Sequence, residues 1–402
     1  MEDLPAAGRR LKAAYFNYYL GHAGVAAFLS WYFSGLGLSG RQIGVLLAVG
    51  PVIGLLVQPL WSLLADGRTG VRGALVAALA GAGAASWLLP LGQSFPALFA
   101  LVVGWAVFFN GIDPLLNSLA LHTLGSRAEA FGRIRLYGSY GNAVSQLAVG
   151  ALVHAAPAAA MFGWQGAWLF LSLALIARAG PRRETAGAGP GSGGRLSWNR
   201  LRQLWTRRPL WIFLAAALLS QTSQVMGWSY FAVYARSAGA GSVEAGAGLW
   251  IAVVSAFPFF LLGERLLRRF GPRRLLVASS AAYALRWGLL SITPPMPAVF
   301  AIQLLNGLGY GLYYVSAVAL VYRETPAGFK ATGQGVLSAV HVSLATICGG
   351  LLGGVLLEAL GVAWVYRAAA VLALLSLIPV LAMRPGTGQE EQETAQGRFP
   401  PS

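Results

Sequence analysis

The sequence predicts an all-α membrane protein with twelve transmembrane helices, arranged as two six-helix halves of the same orientation. Three observations lead there. First, 56% of the 402 residues are hydrophobic, only 10% are charged, and mean hydropathy is +0.62. A soluble domain typically carries about 25% charged residues, and water could not cover so much apolar surface with so few. Second, apolar runs of about 20 residues, enough to cross roughly 30 Å of hydrocarbon, recur along the whole chain. Third, the basic residues gather in alternate gaps between those runs, as the positive-inside rule requires.

In chain order the spans are read as 13–36, 42–64, 71–91, 97–122, 135–157 and 160–180. After a break they continue as 209–236, 243–263, 274–292, 297–322, 331–357 and 361–383. With the N-terminus on the cytoplasmic side, 29 Lys and Arg residues divide sharply. Arg41 and Arg236 fall in outer loops, Arg286 and Arg367 fall within spans, and all the others are cytoplasmic. Both termini are therefore expected in the cytoplasm, in a multi-pass protein of the inner membrane. Met1 to Lys12 lead into a first span with no small-residue cleavage site, so that span is read as retained. The net charge of +16 is accounted for by topology, and no nucleic-acid partner is expected.

Four segments follow: a half at 1–180, a cytoplasmic linker at 181–208, a second half at 209–385 and a disordered tail at 386–402. The linker contains Gly- and Ala-rich residues 186–194, then an amphipathic stretch with Trp198, Leu201, Leu204 and Trp205 among arginines. An ordinary solvated tether is the competing reading of that stretch. The halves echo one another at an offset of about 200 residues. Tyr32-Phe33 pairs with Tyr230-Phe231, and the basic loop 66–72 pairs with 268–274. Tandem six-helix halves of one orientation describe a transporter fold that binds its substrate between the halves near the midplane.

Polar residues inside a span are costly unless they face a cavity or a partner. Asp113 is the one acid deep within a span, about 13 Å from the inner end of the fourth helix at 1.5 Å per residue. Asn110, Asp113 and Asn117 share a face, beside Pro114. Arg135, Asn142 and Gln146 form a stripe on the fifth helix, and Arg135 is within reach of Asp113. This arrangement suits proton coupling or substrate binding, with a static ion pair as the alternative. Arg286, about 18 Å from the inner end of the ninth span, cannot discard its charge. It suggests an anionic ligand such as a carboxylate, unless it pairs with Asp113.

His341 and His22 are candidate proton relays or packing residues; His341 is assigned to coupling and His22 to binding. Gln221, Gln224 and Trp228 line the seventh span, and Gln303, Asn306, Tyr310 and Tyr314 line the tenth. Amides and aromatics converging on a cavity would hold a small, partly apolar ligand, although helix–helix glue explains the amides as well. No metal-spaced His/Cys cluster, nucleotide loop or catalytic triad stands out, so no enzyme activity, cofactor or metal is expected. The single cysteine, Cys348, excludes an internal disulfide.

Leu64-Ala-Asp-Gly-Arg-Thr-Gly70 resembles the loop signature of the major facilitator superfamily. Gly37–Gly44, Phe131–Ser139 and Leu285–Gly288 resemble its phenylpropionate-permease-type branch, near the lactose-permease-like proton symporters. The resemblance spans nearly the whole chain. It implies the major facilitator fold, and a conformational switch at Asp66 with Arg68 and Arg72. The chain departs from the branch at Asn117, at Ala256-Phe257-Pro258, and at Asn306 and Tyr314 where the branch has histidines. The reading drawn is a monomeric proton symporter of a small organic solute, a carboxylate such as an aromatic acid, working by alternating access. Alternatives are a sugar or nucleoside symporter, a proton-coupled exporter of drugs or metabolites, and a membrane sensor that no longer transports.

Overall fold

The computed structural model describes residues 6–67, 69–124, 131–178, 208–325 and 330–383. Arg68, the tail and all of the linker except Arg208, including its amphipathic stretch, lie outside the described residues. The first half is made of α1 (Ala6–Gly35), α2 (Gly40–Asp66), α3 (Gly70–Leu88), α4 (Phe95–Leu124), α5 (Phe131–Ala155) and α6 (Ala160–Ala177). Each corresponds to one expected span. Ser39 starts α2 with a capping box, its hydroxyl accepting from Gln42 N–H while the Gln42 side chain returns to the Ser39 N–H.

The second half holds the same six spans in broken form. The seventh is α7 (Arg208–Ser229) followed by α8 (Phe231–Ser237). The eighth is α9 (Ser242–Ser255), which breaks at Ala256 ahead of Pro258 and resumes in α10 (Phe257–Leu290). α10 turns at Gly271, whose φ of 72° suits a residue without Cβ, and returns as the ninth span. The tenth is α11 (Met296–Gln303), a π-helical segment Gly307–Gly311 and α12 (Leu312–Glu324). The eleventh is α13 (Lys330–Ser338), a π-helical segment Ala339–Leu344 and α14 (Ala345–Leu360), and the twelfth is α15 (Val362–Ala382). The expected continuous helices 209–236, 243–263, 297–322 and 331–357 are thus each interrupted, at Tyr230, at Ala256 and at the two π-helical segments. π-segments often mark functional sites.

Among the described residues, nine helices are long and apolar enough to cross a membrane, and one of them, Ser242–Leu290, holds two spans folded at Gly271. α1 and α5 complete the set of twelve; they fall short on apolarity because they carry polar residues such as Tyr15, Tyr19, His22, Arg135, Asn142 and Gln146.

Lipid tails give no hydrophobic drive between helices, so association depends on close backbone approach and polar ties. The seam between the halves has both. A methyl group on Gly44 would stand 2.6 Å from the Gly350 carbonyl oxygen, so α2 and α14 touch backbone to backbone. The same holds for α5 and α9, where a methyl on Gly246 would stand 2.6 Å from the Gln146 carbonyl oxygen. Arg41 and Glu358 pair at 3.5 Å, and the Arg41 N–H donates to the Glu358 carboxylate at 2.9 Å. Arg236 lies 3.7 Å over the Trp31 ring.

All these contacts lie on the face opposite the chain ends. The buried core agrees with this. One cluster on that face contains residues of both halves, among them Phe28, Tyr32, Phe231, Tyr234 and Tyr366. On the chain-end face the cores are separate, one around Leu75, Ile112 and Ile176, the other around Phe213, Leu276 and Leu320. The halves therefore close against each other on one face and part on the other.

Candidate functional site

Between the halves lies a cavity of about 270 Å³. His22, Phe33, Trp105, Phe109, Asn110, Phe162 and Gln165 line it from the first half, and Trp228, Ser229, Val342, Ser343 and Thr346 from the second. Its lining contains aromatic rings, amides and hydroxyls, and no Asp, Glu, Lys or Arg. One wall is an aromatic stack in which His22 lies 4.2 Å from Phe109, and Phe109 lies 4.3 Å from Trp105 at 17°. The helical repeat puts Trp105 and Phe109 on one face of α4, one turn above Asp113. Asn110 ties α4 to α2, donating to the carbonyls of Gly50 at 3.0 Å and Ala106 at 2.8 Å.

One turn towards the chain-end face sits a charged network on α1, α4 and α5. Asp113 Oδ1 is 3.5 Å from Arg135 Nη1 and accepts from the Tyr19 hydroxyl at 2.9 Å. Asn117 donates to Asp113 Oδ2 at 3.2 Å, and its own oxygen accepts from the Tyr15 hydroxyl at 2.7 Å. Arg135 also reaches Asn117 at 3.5 Å. Both charged side chains are 39% exposed, in the space where the halves part. Asn142 and Gln146 pair with each other at 2.9 Å further along α5, where Gln146 is buried.

Arg286 has a different environment from the one expected. Its side chain is 1% exposed and does not line the cavity. Its guanidinium donates to Gln303 at 3.0 and 2.5 Å, to Asn306 at 2.6 Å and to Gln224 at 3.4 Å, and lies 4.1 Å from the Trp287 ring. Asn306 in turn donates to the Ala252 carbonyl at 2.7 Å, so the cage joins spans seven to ten. Neither expectation for this residue, a cation free for a ligand or a partner for Asp113, matches that placement. Amide oxygens satisfy the charge instead. Gln221 is buried beside this cage on α7.

His341 sits on the π-segment of the eleventh span, with ring centroids 5.4 Å from Tyr313 and 6.4 Å from Tyr310. Tyr310 and Tyr314 lie 6.0 Å apart, both against Phe260. This aromatic group lies in the second half, and His341 meets tyrosines rather than the Asp113–Arg135 pair.

In the loop expected to act as a switch, Asp66 is exposed and has no partner among the described residues. Arg72 donates to the Ile176 and Ala177 carbonyls at 3.2 and 2.6 Å. Arg273 does the same in the second half, reaching Val380 and Leu381 at 3.3 and 2.6 Å. Each arginine donates to carbonyls at the C-terminus of the last helix of its half, where Ile176 and Val380 also accept from the cap N–H groups of Arg178 and Met383. The repeated basic loops thus carry a repeated contact.

Of the residues singled out from sequence, His22, Asn110 and Trp228 line the cavity. Trp105, Phe109, Gln165, Gln58, Ser343 and Thr346 line it as well and were not singled out. Gln165 had one available signal, an amide within an otherwise apolar span.

A family model described as the MFS_1 like family matches residues 9–368. The chain is 30% identical to the "Maltose permease" of Geobacillus stearothermophilus, over 88% of this chain and 89% of that protein. It is 26% identical to the "Probable 3-phenylpropionic acid transporter" of Escherichia coli strain K12, over 78% of this chain and 82% of that protein. In fold it resembles a mutant of the nucleoside transporter NupG, with a TM-score of 0.81 at 16% identity, covering 94% of this chain and 99% of that one. It also resembles an inward-facing bacterial homologue of the lysosomal transporter Spinster, with a TM-score of 0.69 at 16% identity and 98% coverage of each chain.

Proposed function

This chain belongs to the MFS_1 like family, and from that premise we propose that it is a proton-coupled symporter of a neutral hydroxylated solute of the sugar class. The family and the named relatives are permeases and transporters, so the protein is a multi-pass membrane transporter and not an enzyme.

The observation that carries the substrate class is the charge-free lining of the cavity. Sugar hydroxyls hydrogen-bond to amides, hydroxyls and imidazole, and the C–H faces of the ring pack on Trp and Phe. A carboxylate would need a cation there. Arg286, which suggested one, is enclosed by amides. The relative named as a maltose permease supports the same class.

Coupling is assigned to Asp113, with Arg135, Tyr19 and Asn117 as its partners. Protonation of Asp113 would dissolve the ion pair and loosen α4 from α5, one turn from Asn110 and the aromatic wall. With the protein in the inner membrane and both ends cytoplasmic, the structure is read as inward-open and closed on the outer face. The halves would then exchange accessibility by rocking about the cavity, as a monomer. His341, packed edge-on against Tyr310 and Tyr313, is read as a packing residue, and Arg72 as a tie within its half.

A second reading has one observation behind it. Arg135, 39% exposed at the inner side of the cavity, would present a cation to an aromatic acid once Asp113 is protonated, and one relative is named for 3-phenylpropionic acid. Equilibrium binding to purified protein separates the two, using maltose, uridine and 3-phenylpropionate. Maltose binding that Trp105→Ala weakens by about tenfold or more is the expected result, of the size of a lost stacking partner. Binding of 3-phenylpropionate alone, lost in Arg135→Gln, would favour the second reading.

A further inference from the structure

We infer that His22 presents an unprotonated Nε2 to the cavity and accepts a hydrogen bond from a donor on the solute. Gln165 and Ser86 hold the imidazole in that tautomer. The inference deepens the sugar-class reading and rests on it for the donor, a solute hydroxyl.

The argument is one of proton counting. The His22 ring is fixed in place between aromatic neighbours, 4.2 Å from Phe109 and 6.1 Å from Tyr18 at 17°. Beside the ring, Gln165 of α6, itself part of the cavity lining, is 1% exposed. One end of its amide is 3.1 Å from His22 Nδ1, and the other is 3.3 Å from the Ser86 hydroxyl of α3. Ser86 Oγ is also 2.8 Å from the Ala82 carbonyl oxygen. Two oxygens at that separation need a proton between them, and a carbonyl has none to give. The Ser86 proton is therefore directed at Ala82, which leaves Ser86 Oγ only lone pairs for the amide. The amide end facing Ser86 must then be NH₂, and the end facing His22 must be the carbonyl oxygen. The two ends of a glutamine amide have nearly the same shape, so hydrogen-bond logic assigns them. A carbonyl facing Nδ1 requires Nδ1–H, and a neutral imidazole has one N–H. Nε2 is left as an acceptor.

The opposite assignment, with the amide nitrogen towards His22 and the amide oxygen towards Ser86, is the one in which these atoms are placed. It sets a buried amide oxygen against a serine oxygen whose proton is committed to Ala82, and exchanging the two amide ends removes that conflict. Nε2 has no partner among the described residues, and the ring lines the cavity. Asn110, its polar neighbour, already commits its NH₂ to two backbone carbonyls. His22 is thus a directed acceptor on the first-half wall, and it selects solutes that carry a hydroxyl or N–H donor at that position.

The test is nitrogen NMR of ¹⁵N-histidine-labelled protein in lipid nanodiscs at about pH 8, above the ordinary imidazole range. His22→Phe identifies the His22 resonances among the 4 histidines. A pyridine-type Nε2 and a pyrrole-type Nδ1 are expected, with the Nε2 signal shifting as maltose is added. On this assignment the Gln165 carbonyl is the acceptor towards Nδ1. Gln165→Leu removes it and should mix the tautomers, with maltose affinity falling by about tenfold, the size of one hydrogen bond. A pyrrole-type Nε2, or a doubly protonated ring, would overturn the assignment. If the expected tautomer is found but maltose does not bind, the sugar-class reading fails while the His22 assignment stands.

Discussion

Replacing Arg286 with methionine separates a structural cation from a ligand-binding one. The substitution keeps an unbranched side chain and removes every donor. It leaves acceptor oxygens on Gln303, Asn306 and Gln224, all three residues buried, without their common partner. A buried unsatisfied acceptor costs about 1–3 kcal/mol, and loss of the guanidinium over Trp287 removes about 0.5–2 kcal/mol. Some of this is recovered. The Gln303 amide nitrogen has no partner in the intact cage and is free to turn towards an orphaned oxygen, and Gln224 already donates to Asn306 at 3.3 Å. The buried charge and its desolvation cost also disappear. A net loss of about 2–4 kcal/mol follows from these magnitudes. Thermal or denaturant unfolding in detergent, followed by tryptophan fluorescence, measures it alongside a maltose binding isotherm on the folded fraction. The expected result is clear destabilisation with affinity changed by less than about threefold, since no cage residue lines the cavity. Unchanged stability with lost binding would refute the reasoning and return Arg286 to a ligand-binding role.

Two further predictions concern the seam. Gly44→Leu places a side chain where even a methyl would meet the Gly350 carbonyl oxygen at 2.6 Å, so α2 and α14 must separate. A cysteine introduced as Thr346→Cys in the cavity, with Cys348→Ser, should then react faster with a membrane-impermeant maleimide added from outside. An unchanged rate would show that the seam does not close the cavity. At Glu358 the ion pair and the hydrogen bond make different demands. Glu358→Gln keeps an acceptor for the Arg41 N–H at the start of α2, whereas Glu358→Leu keeps none. Because exposed ion pairs contribute little, labelling should rise for Glu358→Leu and barely for Glu358→Gln; equal effects would mean that the charge matters more than the helix terminus.

The span count was legible because a bilayer sets a length of about 20 residues that apolar runs display directly. The stripe Asn110, Asp113, Asn117 and its proximity to Arg135 were legible because helical spacing and a short α4–α5 connection bring those groups together. The partners of Arg286 were not, since Gln224 lies 62 residues away and reaches it only once α7 packs against α10. An unpaired cation in sequence looks the same whether a carboxylate, a ligand or three amides will satisfy it. The aromatic wall of Trp105 and Phe109 was hidden among the many aromatic residues of an apolar helix, because composition does not tell a cavity face from a lipid face. The breaks in the second half had local signals, Pro258 and the glycines at 307, 309 and 311, but small residues are also common in unbroken membrane helices.

The central claim is that a neutral sugar and a proton cross together through the cavity, with Asp113 carrying the proton. The most direct test is the external pH of a weakly buffered suspension of proteoliposomes after maltose is added. The account predicts alkalinisation with the intact protein and none with Asp113→Asn, which still binds maltose. Maltose entry without a pH change, or alkalinisation that survives Asp113→Asn, would contradict it.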